Sequence, residues 1–369
     1  MSAACDACLR RGHLLGHLAP RIAALLDRPR GRAPALLALP DRELIAAVAG
    51  DRGAGPAVGF LERFDAGEAR ERMDDAGVGA VCRHGSAYPA GLRNLDDAPA
   101  ALFHTGLAEA LATAAHERTV AVVGARKASS YGLEVASSLG RWLGVAGVPV
   151  VSGLALGIDA AAHRGCLDGG GTPIAVMAGG PDVAYPRTNA GLHREVCRRG
   201  VVVSELPPGR RPMRWSFPAR NRIMAGLAAM TIVVEARDPS GSLITAQFAQ
   251  DLGRPTGAVP GRITDARSAG SNRLIRDGAI AVLGAEQVLD ELYGAGRGGA
   301  MLPPRPRRRL DPVLRRLLDG VEAGLEVPGI VEHSGVPVRE ARAGLARLEA
   351  AGYVRRVRLG AYERTLEPG

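Results

Sequence analysis

The chain has 369 residues, of which 46% are hydrophobic and 23% charged, with 47 Lys+Arg against 38 Asp+Glu for a formal net charge of +9. This is too long for one minimal domain and suits two or three, with the balance of a soluble globular protein. No run reaches the ~18 apolar residues of a membrane span, and the opening MSAACDACLRRGHLLGHLAP has no uninterrupted apolar stretch of the kind a secretion signal needs, so a cytoplasmic protein with no membrane partner is expected.

Residues 1–75 carry apolar residues at helical spacing between Gly and Pro breaks, as in HLLGHLAPRIAALL and PALLALPDRELIAAVAG, and predict a small all-helical domain. Its start holds Cys5-x-x-Cys8 followed by His13 and His17. Zinc modules separate two ligand pairs by roughly a dozen residues or more so that the chain can turn around the ion. The spacer here is too short, so the segment reads as an ordinary helix start and no metal is expected. The remaining cysteines, Cys82, Cys166 and Cys197, are far apart, which suits reduced thiols and not a disulfide framework.

Residues 76–118 read as a connector. From Thr119 the pattern changes to short valine-rich runs, TVAVVG, VPVVSG, PIAVMAGG, VVVSEL, TIVVEA, PTGAVPG and AIAVLG, most of them separated by helical segments. Continuous apolar strands alternating with helices predict a parallel sheet covered on both faces, so residues 119–293 are expected to form a doubly wound Rossmann-like core. Residues 294–309, rich in Gly, Pro and Arg, read as a flexible basic linker. Residues 310–369 give helix, turn, helix and a short strand pair, the order of a winged helix, a module that binds DNA in some proteins and protein in others. Direct DNA reading by this tail is not expected. The fold class is therefore α/β, a doubly wound Rossmann-like parallel sheet flanked by a small N-terminal helical domain and a C-terminal winged-helix domain.

Ligands of open α/β sheets bind beyond the carboxyl ends of the strands. The loops at that edge are rich in Gly, Ser, Arg and Asn. They supply Gly124, Arg126, Lys127 and Ser129 after the first core strand, Ser152 and Gly153 after the second, and Arg187 after the third. Arg220, Asn221 and Arg222 follow the fourth, and Ser240, Gly241 and Ser242 the fifth. Helix N-termini offer free N–H groups and partial positive charge, and glycine lets the backbone approach an oxyanion. Any one of these loops is a tight turn, but several on one rim together predict a phosphate site. The stretch Arg210–Leu227 alone carries five arginines and no acid. The net charge is uneven, slightly acidic before residue 118 and basic beyond it, and Lys127 is the chain's one lysine.

No G-x-G-x-x-G follows the first core strand, where GARKAS stands instead, and no G-x-x-x-x-G-K-[ST] occurs. No dinucleotide or other cofactor and no ATPase activity is expected. Nor is there a G-x-S-x-G nucleophile elbow. Asp159 and His163, four apart, with Glu235 at a strand end, form the one candidate acid/base set. Asp159 falls near a helix start, where a carboxylate stabilises the end, and a structural role is the favoured reading.

Six blocks in order, VAVVGARKASSYG, VVSGLALGIDAAAH, DVAYPRTN, VVVSELPPGRRPMRWSFPARNRIMAGL, SGSLITAQFAQDLGRPTGAVPG and SAGSNRLIRDGA, resemble the DNA-processing protein A family (DprA, also called Smf). The N-terminal helical unit, which would be SAM-like, and the tail are similar more weakly. The resemblance implies a non-catalytic homodimer that binds single-stranded DNA without sequence preference and loads the recombinase RecA onto it during natural transformation and recombination. The family's G-S-R motif falls on Gly124, Ala125 and Arg126, with Ala125 lacking the usual hydroxyl. Its F-P-x-R-N-R falls on Phe217, Pro218, Arg220, Asn221 and Arg222, and its basic residue after Tyr-Pro on Arg187. Trp215 and Phe217 could stack on bases or lie in the core, Pro218 suggesting a buried turn for Phe217. The alternative function is a Rossmann-like hydrolase of nucleotide monophosphates or phosphoribosides. Its P-G-G-x-G-T-x-x-E signature is not matched by MAGGPDVAYP.

Overall fold

The computed structural model describes residues 4–26, 36–113, 119–303, 310–358 and 360–365. The N-terminal apolar pattern folds as α1 (Asp6–Leu26), α2 (Asp41–Glu62, kinked at Gly50) and α3 (Ala66–Asp75), the last capped by Asp65, whose side chain accepts from the Glu68 amide. Leu14, Leu18 and Ile22 of α1 meet Leu44 and Ile45 of α2 in one buried cluster.

The segment expected to be a mere connector instead adds two strands, β1 (Gly79–Cys82) and β2 (Ala101–Gly106), followed by the short helix α4 (Ala108–Thr113). They pair antiparallel with each other, and β2 pairs antiparallel with the core. GAVC is too short and too weakly β-branched to announce a strand. It becomes one because the neighbouring edge offers hydrogen-bond partners.

Each of the seven valine-rich runs forms a strand. In chain order the core is β3 (Val120–Val123), α5 (Ser130–Val145), β4 (Val150–Ser152), α6 (Ile158–Asp168), β5 (Pro173–Val176), α7 (Ala190–Arg199), β6 (Val201–Ser204) and α8 (Ser216–Leu227). It continues with β7 (Met230–Val233), α9 (Gly241–Asp251), β8 (Thr256–Ala258), α10 (Ala269–Arg276), β9 (Ile280–Ala281) and α11 (Ala285–Tyr293). The sheet order is β1-β2-β6-β5-β4-β3-β7-β8-β9, with β3 to β9 all parallel to one another. Alternate residues serve opposite faces, as the period of two demands. Ala121 and Val123 pack with Ile223, Met224 and Leu274 on one side, and Val120 and Val122 with Leu139, Leu143 and Leu289 on the other. Burial on both faces is why the strands read as unbroken apolar runs.

From β3 the chain steps outward through β4, β5 and β6, then returns to place β7 on the other flank of β3. That reversal opens a crevice at the carboxyl ends of β3 and β7.

Part of the segment expected to be a flexible linker is helical. Arg297–Met301 forms α12, and the Gly298 amide donates to Asp290 Oδ1 at 2.7 Å. Residues 304–309 lie outside the described residues. The C-terminal unit, residues 303–369, holds α13 (Pro312–Glu322), α14 (Val327–Ser334), α15 (Val338–Ala350) and the hairpin β10 (Val354–Arg358) and β11 (Ala361–Arg364) around Leu317, Leu318, Ile330, Leu345 and Leu348. This is winged-helix order. Its cationic wing is largely answered by its own acids: Arg355 pairs with Glu363, Arg356 with Glu349, Arg358 with Glu326 and Arg364 with Glu322. No helix among the described residues is long and apolar enough to cross a membrane.

Candidate nucleic-acid interface

The crevice at the strand reversal is a cavity of about 280 Å³, small for a ligand pocket. Its walls come from four loops: Gly124, Ala125 and Arg126 after β3; Ala155 and Asp159 after β4; Phe217, Pro218, Arg220 and Asn221 at the start of α8; and Ser240, Gly241 and Ser242 at the start of α9. Sequence-expected residues from distant blocks thus converge, because parallel strands deliver every strand-to-helix loop to the same edge.

The α9 end is built for an anion. Ser240 is the N-cap, its side chain accepting from the Ser242 amide, and its Oγ lies 2.9 Å from the Ser242 Oγ. The first turn of a helix leaves N–H groups without intrahelical partners. The cations differ in availability. Arg126 is exposed and its guanidinium sits 4.9 Å over the centre of the Phe217 ring, a cation–π contact that holds the side chain across the crevice mouth. Lys127 and Arg187 are also exposed, and none of these three has a carboxylate within ion-pair distance among the described residues. Lys127 and Arg187 lie outside the cavity lining, on the loops after β3 and β5.

Arg220 is only 8% exposed. Its Nη1 donates to the carbonyls of Gly153 (2.8 Å) and Val176, and its Nε to Asn221 Oδ1 at 3.1 Å. Its one ion-pair partner among the described residues, Asp159, stands off at 3.8 Å. Burial pushes the Asp159 carboxyl up and the Arg220 guanidinium down, each opposed by the charge of the other. At that separation the two charges offset one another without a hydrogen bond between them, and both groups line the cavity. Asn221 Nδ2 donates to the Gly241 carbonyl at 3.1 Å, joining the starts of α8 and α9.

Arg222 does not belong to this site. It is 0% exposed, ion-paired to Asp97 at 2.7 Å and to Glu205 at 2.8 Å, and it donates to the Ala219 and Asp97 carbonyls. Two places after Arg220 on a helix, a side chain is rotated about 200° away, so it points into the protein. Three other expected ligands are also structural. Ser129 caps α5, receiving from the Gly132 amide, and its amide and hydroxyl both donate to Glu235. The Ser152 hydroxyl donates to the Val122 carbonyl at 2.6 Å and is buried. Gly153 is glycine because a Cβ there would lie 2.0 Å from Arg220 Nη1. Gly157 has φ 79° and would place a Cβ 2.2 Å from the Ala125 carbonyl oxygen, so glycine seats the loop after β4 against the one after β3.

The aromatics divide. Trp215 is 6% exposed, packs with α1 and donates from Nε1 to the Ala19 carbonyl at 3.1 Å, so it is core. Phe217 lines the cavity and meets Tyr185 at 5.6 Å between ring centres. Tyr185, 44% exposed, was not singled out from sequence. Its position on a rim loop directly before Pro186 and Arg187 was the available signal.

The acid/base candidates hold the loops. Asp159 accepts from the Gly153 amide at 3.2 Å, and Glu235 is engaged by Ser129. His163 is wholly buried, and burial pushes its imidazole down to about 3. A histidine depressed in the folded state stabilises the fold above its unfolded value, and that contribution is lost as pH falls below about 6.5. Going from pH 7 to pH 5 is expected to cost about 2 kcal/mol through this residue. The His163→Gln variant should show a correspondingly smaller drop in urea midpoint over that interval, and an unchanged drop would refute the assignment.

His13 and His17 do not join Cys5 and Cys8. His13 packs edge-on against Phe103, with ring centres 5.6 Å apart, and His17 stacks on Phe60 at 4.6 Å. The two cysteines instead face Cys82 and His84.

Fold and rim together define a Rossmann-like α/β protein with a cationic crevice at its topological switch point. Residues 79–293 match the family described as DNA recombination-mediator protein A, and the chain belongs to that family. It is 40% identical over 262 residues to the DNA processing protein DprA of Streptococcus pneumoniae, covering 68% of this chain and 88% of that one. With a putative DprA of Mycobacterium tuberculosis it shares 40% identity over 240 residues, covering 64% of this chain and 61% of the relative. Among solved structures, DprA from S. pneumoniae superposes with a TM-score of 0.60 at 32% identity, over 77% of this chain and 96% of that one. A DprA from Helicobacter pylori, described for its single-stranded DNA binding mode, superposes with a TM-score of 0.53 at 27% identity, over 58% of this chain and 95% of that one.

Proposed function

We propose that this protein binds single-stranded DNA without sequence preference and, as a cytoplasmic homodimer, loads RecA recombinase onto it during DNA uptake and recombination. The observation that carries this reading is the convergence of Arg126, Arg220, Asn221 and the α9 N-terminus on one crevice, with Phe217 presented beneath Arg126. Backbone phosphates meet Arg126, Lys127, Arg187 and Arg220 and the amides of Ser240 and Gly241, with Gly124 allowing close approach. A base stacks on Phe217 or Tyr185, a sequence-tolerant mode because every base has a π face. The cavity admits a phosphate and part of its sugar, and the rest of the strand runs along the rim. The H. pylori relative's single-stranded DNA binding and the family's description as a recombination mediator support the same reading. Exposed Ile263 and Leu283, beside the last strands of the sheet, support a contact with a second copy.

A binding role is favoured over hydrolysis because the carboxylates at the rim are spent on loop structure and His163 is held neutral out of solvent. Fluorescence anisotropy with a labelled oligonucleotide across a salt series tests the proposal. Single strands should bind more tightly than duplex, with log K falling against log salt at a slope of about −2 to −3, the value for three or four neutralised phosphates. Salt-independent binding or a preference for duplex would sink it. Turnover of nucleotide monophosphates that disappears in Asp159→Ala would revive the hydrolase.

A further inference from the structure

We propose that Cys5, Cys8, Cys82 and His84 form a structural zinc site that ties the N-terminal helical segment to the edge of the sheet. One potential ligand atom from each of the four lies within 4.8 Å of all the others. Cys8 Sγ and Cys5 Sγ stand 3.4 and 3.5 Å from the same nitrogen, His84 Nδ1. Tetrahedral zinc, with bonds of about 2.3 Å to sulfur and 2.0–2.1 Å to nitrogen, sets its sulfur and nitrogen ligands about 3.6 Å apart. The two sulfur–nitrogen spacings match that value, and the remaining pairs fall within the 4.8 Å bound.

The backbone holds both ligand pairs in place. Cys5 directly precedes α1, and Cys8 follows one turn later on the same face. Cys82 ends β1, and a turn closed by the Gly85 amide on the Cys82 carbonyl at 2.8 Å brings His84 back towards the thiols. The Ala4 amide bonds to the Ala80 carbonyl at 3.0 Å, and the Cys5 amide approaches Cys82 Sγ at 3.5 Å. The N-terminal arm is thus laid along β1, as a two-part site requires. Cys5 and His84 are exposed and Cys8 and Cys82 buried, which gives an ion a route in and a protected seat.

Binding displaces the three thiol protons to solvent, and three thiolates around Zn²⁺ leave one net negative charge. Arg10 and Arg83 lie on the wall of the adjoining cavity, which Asp41, Asp96, Asp97 and Glu205 also line. Four protein ligands close the coordination sphere, the mark of a structural site and not a catalytic one. A disulfide would use two of the sulfurs and give the imidazole no reason to face both Cys5 and Cys8.

The test is metal content of the full-length protein, reduced, dialysed against Zn²⁺ and freed of excess. Roughly one zinc per chain is expected, with its release on thiol blockade and a lower melting temperature after chelation. Cobalt substitution should produce the intense visible bands of tetrahedral Co²⁺ with thiolate charge transfer, a readout that needs no variant to fold. Cys82→Ser and His84→Ala should reduce uptake at least several-fold, and Cys197→Ser should leave it unchanged. Three results overturn the proposal: substoichiometric zinc in the reduced protein, octahedral cobalt, or a Cys5→Ser/Cys82→Ser variant that takes up zinc like the parent.

Discussion

Replacing Arg222 with methionine is expected to cost the fold about 3–5 kcal/mol, because it strands two buried carboxylates without their counter-charge. Asp97 and Glu205 converge on this one guanidinium, which is closed to solvent, and are themselves largely buried. Urea denaturation followed by circular dichroism measures the loss, and DNA affinity of the folded fraction should stay close to the parent's. The pH dependence has a definite sign. Burial already holds the Asp97 carboxyl above its usual range, with Arg222 opposing that rise. Without Arg222 it rises further. A carboxyl whose folded value exceeds its unfolded one favours the fold at low pH and loses that contribution as pH rises. The deficit, taken as variant minus parent so that His163 cancels, should therefore be greatest near pH 7 and shrink towards pH 5. A variant of parental stability that no longer binds DNA would return Arg222 to the interface.

Phe217→Ala is expected to weaken single-strand binding by about 1–3 kcal/mol, roughly 5- to 150-fold, with the salt slope unchanged, since stacking neutralises no phosphate. Arg126→Ala should behave differently, flattening the slope by about 0.7 and losing most affinity at low salt. Arg126 rests on the Phe217 ring, so the double variant should lose less than the sum of the two single losses. Titrations of all three at several salt concentrations decide this. A Phe217→Ala protein that binds like the parent would show that the ring only supports Arg126.

The contrast between Arg220 and Arg222 shows where reading along the chain stops. Both sit in FPARNR, and by composition both are unpaired cations. Helical geometry separates them. Arg220 reaches the crevice with a loosely held partner, and Arg222 turns inward to acids supplied from residue 97 on one side and residue 205 on the other. Trp215 and Phe217 divide in the same way, one covered by α1 and one facing the cavity.

The alternation of valine runs and helices determined the parallel sheet, its covered faces and the edge on which its loops would gather, because those features follow from local periodicity and chain direction. The six motif blocks likewise determined the family. Only the tertiary structure decided which cations remain available, that residues 79–106 extend the sheet, and that the partners of Cys5 and Cys8 are Cys82 and His84 and not the nearby His13 and His17. Each of these depends on which distant segment packs against a given side chain, and that is set by burial and pairing across long separations, to which the local pattern of residues carries no pointer.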